Sequence, residues 1–242
     1  MNGEILAPVA DPQLEPAVPT PEELVRTLAK RELRKRMRGL RVTTPTAHIS
    51  ARSAEVRTRL LALPAVQAAR GVALFWPIEA RHELDLRPLA ATLRELGKRI
   101  AYPSLADEPG RMDFRFVDDD ATLAEVGNGF AEPPVHAPIA EPGELSVVIV
   151  PALALDAGGA RLGYGAGYYD RALPRFCPPA TSVGVCFSFQ LLGEIPTTPH
   201  DVPIDIVVTD VSSFCPREAP PIEAVRAGFD AREPGVKVVR RR

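Results

Sequence analysis

Apolar positions along the chain follow two rhythms, a helical spacing of roughly three to four residues and short unbroken runs. The first begins after "TPEE", where Thr20 as N-cap, Pro21 in the first helical position and Glu23 form a capping box. A helix to about Arg41 follows, with Leu33, Met37 and Leu40 on one stripe. "SARSAEVRTRLLALP" predicts a second helix, capped by Ser50 and stopped near Pro64. Beyond it "GVALFWP" reads as a buried strand, "DLRPLAATLRELG" as a helix closed by Gly97, and "KRIAYP" as a strand. "MDFRFV" alternates as a strand with one wet face would. "LSVVIVPALAL", the most apolar run, predicts a central strand. "GYYDRALPRF" predicts a helix, and "ATSVGVCFSF" and "IDIVVTD" two more strands. Strands alternating with helices define an α/β fold with a largely parallel sheet.

Proline changes the picture at both ends. Residues 1–19 carry Pro8, Pro12, Pro16 and Pro19 among acidic and small residues, a composition that cannot repay chain ordering. Residues 216–242 repeat that composition and end in a basic run. The expectation is one domain over 20–215 between two tails. At 242 residues and 45% hydrophobic, one sizeable core is within reach. A net charge of -2 argues against a general nucleic-acid or membrane-coating protein. Three cysteines without a C-x-x-C pair give neither a disulfide framework nor a zinc site. With no signal-peptide pattern at the N-terminus and no long apolar span, the expected location is the cytoplasm.

Two elements carry candidate chemistry. In "RLGYGAGYYDR", Gly163, Gly165 and Gly167 remove Cβ atoms ahead of a helix N-terminus, so successive N–H groups can face one anion. Phosphate is the natural guest, and Arg161 and Arg171 supply charge. Asp170 would repel bare phosphate, a conflict that Mg²⁺ between them resolves. The pattern is neither a P-loop nor a dinucleotide fingerprint, and taken alone it is equally a structural turn. In the second element Lys30, Arg34, Arg38 and Arg41 share one helix face opposite the apolar stripe. That face is either solvated or a clamp on a polyphosphate or another polyanion such as RNA.

Four blocks resemble the 5-formyltetrahydrofolate cyclo-ligase family: "KRELR", "ALFWPIEARHELDLRPL", "VPALALDAGGARLGYGAGYYDR" and "GVCFSFQLLGEIPTTPHDVPIDIVVTD". The third, containing Arg-Leu-Gly-x-Gly-x-Gly-Tyr-Tyr-Asp, is the most specific. The resemblance implies a three-layer α/β/α fold like that of the ribose-phosphate isomerase and CoA-transferase-like proteins. It implies ATP- and Mg²⁺-dependent conversion of 5-formyltetrahydrofolate, polyglutamylated or not, to 5,10-methenyltetrahydrofolate, in a protein expected to be a monomer. Lys30 and Arg34 would be ATP contacts. Arg161, Leu162, Gly163, Tyr164, Gly165, Ala166, Gly167, Tyr168 and Tyr169 would form the nucleotide loop, of which Tyr164 to Tyr168 would also touch folate. Asp170 and Asp201 would hold Mg²⁺. Phe75, Trp76 and Glu83 would line the pteridine side, with no catalytic group beyond these binding groups.

The segment from Trp76 to Glu83 is longer than the family's usual one, so Glu79 competes for Glu83's role and Ile78 for that of Trp76. Ala152 and Leu155 replace a usual glycine and phenylalanine. A different class of reading is a non-catalytic nucleic-acid-binding relative using the basic helix and the "KVVRRR" tail. His200 beside Asp201 suits a loop-orienting role better than that of a base. Asp156 is placed to orient the glycine loop, and Asp118, Asp119 and Asp120 read as a solvated turn.

Overall fold

The computed structural model describes residues 20–127 and 130–216; the expected tail at 1–19 and nearly all of the one at 216–242 lie outside them. Helix α1 (Pro21–Thr43) opens with the expected box: the Glu23 N–H donates to Thr20 Oγ1 and the Thr20 N–H to Glu23 Oε2. Helix α2 (Thr46–Ala62) starts earlier than the Ser50 cap expected for it, because Pro45 sets the entry and Ser50 falls inside. Short α3 (Pro64–Ala68) follows at once. Strands β1 (Gly71–Ala73) and β2 (Arg99–Leu105) flank α4 (Arg87–Glu95), and Gly97 takes the left-handed conformation just past that helix. Strand β3 (Met112–Phe116) is almost wholly buried rather than wet on one face; its Asp113 is neutralised by Arg111 and Arg175. A small hairpin, β4 (Ala124–Glu125) and β5 (Ala131–Glu132), comes next.

The long apolar run divides. Its first part is β6 (Val147–Pro151), while β7 (Ala154–Asp156) leaves for a second sheet with β8 (Arg161–Leu162) and β10 (Leu191–Leu192). Helix α5 (Tyr168–Phe176), β9 (Thr181–Val185), β11 (Ile206–Val208) and the edge strand β12 (Ser213–Phe214) complete the chain. The main sheet has the order β12-β11-β9-β6-β1-β2-β3. It is parallel from β11 to β2 and antiparallel only at its two edges.

The period of two along β6 creates the layers. Val147 and Ile149 join Val56, Leu60, Leu89 and Leu93 of α2 and α4 on one face. Val148 and Val150 join Leu173 and Phe176 of α5 on the other. A third, smaller core seats α1 on the second sheet through Met37, Leu153, Ala154, Leu162 and Ile195. The apolar stripe of α1 is therefore shorter than expected: Met37 is buried and Leu33 partly buried, but Leu40 is exposed. From β1 the chain proceeds to β2 and from β6 to β9, in opposite directions across the sheet. The carboxyl ends of neighbouring β1 and β6 thus form a topological switch point, where α/β sheets open a crevice.

Candidate functional site

A cavity of about 1270 Å³ opens at that switch point, with Phe75 and Trp76 after β1 on one wall and Pro151 of β6 at its base. The glycine loop forms another wall, and α1 forms the roof. Among the described residues, seven lysine and arginine side chains line it against four carboxylates, so its preferred guest is an anion.

The roof corrects the picture of a solvated cationic face. Lys30 and Arg41 are 7% and 4% exposed, and Arg34 is half-buried. Met37, packed in the third core, turns the basic face of α1 inward over the cavity. Lys30 Nζ donates to Asp201 Oδ2. Arg34 Nε donates to the Gly163 carbonyl at 2.9 Å. Burial first, and then the neighbouring Arg38 charge, weigh against Arg34's proton, and a bound anion would relieve both. An RNA-binding face would need these groups outside.

In the loop, Gly165 (φ 108°) and Gly167 (φ 71°) adopt conformations that side chains resist. Gly163 is constrained differently: a Cβ there would sit 2.6 Å from Arg161 Nη1. Arg161 Nη2 donates to Asp170 Oδ2 at 2.8 Å, which aims that carboxylate. Arg161 Nε and the Tyr169 hydroxyl, both buried, find no hydrogen-bond partner among the described residues. Such orphaned donors beside a cavity suit a ligand. Tyr164, Gly165, Ala166, Gly167, Tyr168, Tyr169 and Asp170 all border the space. The Leu162 side chain does not: it is fully buried in the core beneath α1.

At the other end, Glu83 is 8% exposed and anchored by the Ile78 N–H at 3.0 Å to Oε2. The Tyr164 hydroxyl donates to Oε1, and Arg41 Nη2 approaches the same oxygen at 3.4 Å. Burial first, and then the Glu83 charge, push the Tyr164 phenol up to about 12. It therefore stays protonated and donating. The longer segment explains which glutamate enters. A single 3-10 turn at Glu79–Arg81, followed by His82 in the left-handed region (φ 48°), lifts Glu79 outward. There Glu79 pairs with Arg87 on the surface, while Glu83 faces the cavity. Ile78 is buried and does not border the cavity; it lines a separate pocket of about 390 Å³.

Asp201 accepts all its hydrogen bonds on Oδ2, from Lys30, the Thr198 N–H and the Thr198 hydroxyl. Burial raises its carboxyl, but those donors outweigh it and hold the group below the usual aspartate range. Its Oδ1 has no protein partner among the described residues, and Asp170 Oδ1 has only a long contact of 3.4 Å from the Val202 N–H. Two carboxylates with spare lone pairs beside an anion pocket fit a hard divalent cation that keeps several waters. No group of three or more His, Cys, Asp or Glu gathers among the described residues, so an all-protein metal cage is not on offer there.

His200 also borders the cavity. Asp156 is buried and accepts from the Ala160 and Ile195 N–H groups, bracing the turn before the loop. Asp119 caps a turn and Asp120 pairs with Arg94, away from the cavity. Sequence reasoning missed Arg81 and the rim residues Val126 and Phe130, which border the space from the β4–β5 side. Among the described residues no helix is long and apolar enough to cross a membrane.

Fold and cavity together define an α/β enzyme with a cationic, glycine-walled cleft at its switch point. The profile of the 5-formyltetrahydrofolate cyclo-ligase family matches residues 26–210, and the chain belongs to that family of ligases. It is 39% identical over 125 residues to the 5-formyltetrahydrofolate cyclo-ligase of Mycolicibacterium smegmatis, spanning 50% of this chain and 64% of that protein. To the Escherichia coli K12 enzyme of the same name it is 33% identical over 158 residues, 64% of this chain and 86% of that one. The solution structure of Aquifex aeolicus 5,10-methenyltetrahydrofolate synthetase superposes with a TM-score of 0.69 at 32% identity, covering 79% of this chain and 94% of the other.

Proposed function

We propose that the protein converts 5-formyltetrahydrofolate to 5,10-methenyltetrahydrofolate at the expense of ATP, in the cavity between α1 and the glycine loop. The observation that carries this reading is the pairing of two kinds of lining in that cavity. Lys30 bonds to Asp201 and Arg34 to the Gly163 carbonyl of the glycine loop, while Glu83, held by Tyr164, shares the lining with Phe75 and Trp76. The first set suits a triphosphate, the second a flat pteridine with N–H donors.

A formamide carbonyl is a poor electrophile because its nitrogen donates into it. Transfer of the γ-phosphoryl group to the formyl oxygen, with release of ADP, makes that oxygen a leaving group. N10 of the folate then attacks the same carbon and loses its proton to the departing phosphate or to water, the C–O bond breaks, and phosphate leaves with the former formyl oxygen. The chain's part is positioning and charge neutralisation. Arg34 and Arg161 hold phosphate oxygens, the loop fixes the approach, and Glu83 and Trp76 hold the pteridine so that N10 faces the activated carbon. Asp170 and Asp201 would hold Mg²⁺, which when bound neutralises phosphate charge.

The test is to mix purified protein with Mg-ATP and 5-formyltetrahydrofolate and follow methenyl-folate absorbance in the near ultraviolet, beside an Asp170→Asn variant. The expected result is a rise that requires ATP and collapses in the variant. No rise from folded protein with authentic substrate overturns the reading.

A further inference from the structure

Glu83 is a buried carboxylate whose aim is set from outside its own segment, by a side chain of α1. Arg41, 4% exposed, spends Nε on the Arg81 carbonyl at 2.7 Å, which fixes its rotamer. Its Nη2 then reaches both Glu83 Oε1, at 3.4 Å, and the Tyr164 hydroxyl. Tyr164 donates in turn to the same Oε1. Glu83 Oε1 thus accepts from a phenol and a guanidinium at once.

We propose that Arg41 is a positioning residue for the folate end of the site, aiming Glu83 through the Arg41–Tyr164–Glu83 contact before substrate arrives. The proposal rests on the folate reading of the cavity. Among the contacts described, Arg41 from α1 and Tyr164 from the glycine loop meet on Glu83 Oε1, while the Ile78 N–H holds Oε2.

Three readouts test it, using Arg41→Met and Arg41→Lys. The KM for folate rises about tenfold or more in Arg41→Met, as for a lost charged hydrogen bond, while the KM for ATP holds. Arg41→Lys, which keeps the cation, recovers part of that loss. The third readout is independent of turnover: the ¹³C-carboxyl chemical shift of Glu83 in free protein at neutral pH, assigned with Glu83→Gln, moves in Arg41→Met.

If Arg41→Met does not fold, Arg41→Lys and Tyr164→Phe are read by the same carboxyl signal, which moves in the latter. An unmoved Glu83 signal in a folded Arg41→Met variant overturns the proposal, as does an equal rise in both KM values. Should the wild type show no turnover while the Glu83 signal still moves in Arg41→Met, the folate reading fails and Arg41's hold on Glu83 stands.

Discussion

Lys30 and Asp201, 171 residues apart, meet in an ion pair that joins α1 to the segment before β11 at the mouth of the cavity. The contact also leaves Asp201 Oδ1 without a partner among the described residues. Replacing Lys30 by Met removes the charge that holds this carboxylate and one of the cations that would face a phosphate. The expected cost is about 10- to 100-fold in kcat/KM for ATP, the range for a lost charge-assisted hydrogen bond. Rates of ADP release at varied ATP check it. Rates within twofold of wild type would remove Lys30 from the site.

Glu79 and Glu83 separate cleanly by position. Glu83→Gln is expected to raise the KM for 5-formyltetrahydrofolate by an order of magnitude or so, because a buried acceptor becomes in part a donor. Glu79, on the outer surface with Arg87, leaves activity essentially unchanged when made Gln. Parallel steady-state kinetics of the two variants decide it, and the reverse result would exchange their assignments.

Much of this frame is legible in the sequence, and what is not has definable causes. β6, α5 and the glycine loop announce themselves because their signals are local: an apolar run, an amphipathic pattern, a glycine at every second position. The inward turn of the basic face of α1 does not. Arginines at helical spacing look alike in water and over a cleft, and the difference is set by partners such as Asp201, Gly163 and Glu83, distant in sequence. The second sheet also escapes, since β8 and β10 are two residues each, too short for alternation to show. The resolution of Glu79 against Glu83 depends on one left-handed residue, His82, a conformation that an imidazole does not advertise.

Gly163 supports the loop through what it lacks. Its missing Cβ leaves room for the Arg161 guanidinium that aims Asp170. Gly163→Ala would displace that group while leaving the three cores untouched. The expected variant unfolds like wild type and loses at least tenfold in activity, as does an enzyme with one charged contact misplaced. Thermal melting and kinetics together test this. A marked fall in melting temperature would instead make Gly163 a folding residue.

Asp85 should give the stability curve an acid-sensitive component. Its Oδ1 accepts from the Arg87 N–H at 3.0 Å and Nε at 2.9 Å, and Oδ2 from Nη2 at 3.1 Å, pinning the start of α4. Burial raises its carboxyl, but the Arg87 bonds outweigh that and lower it overall. A depressed pKa contributes stability that is fully present above the unfolded value and lost as pH falls through the folded one. Asp85→Asn therefore costs about 1 kcal/mol at neutral pH, the usual scale for a partly exposed charge-assisted contact, and the difference from wild type closes as the solution becomes strongly acidic. Denaturant unfolding of both proteins at several pH values measures it, and a penalty that does not change with pH would rule out the ionised carboxylate as its source.

Met37 links packing to chemistry most directly. It is 1% exposed between α1 and the second sheet, and it is the residue that orients the helix face bearing Lys30, Arg34 and Arg41. Met37→Ala is expected to cost about 2–5 kcal/mol, as large-to-small changes in a core do. The kinetic effect distinguishes this core from the other two. Loosening α1 weakens the roof over both ends of the cavity, so the KM values for ATP and folate rise together. A comparable cut in the sheet core, Val56→Ala, lowers stability while leaving the KM values near wild type, because α2 carries no group into the cavity. Unfolding curves and kinetics of the two variants check the contrast; equal KM values at equal destabilisation would mean that α1 is held in place by its polar contacts and not by Met37.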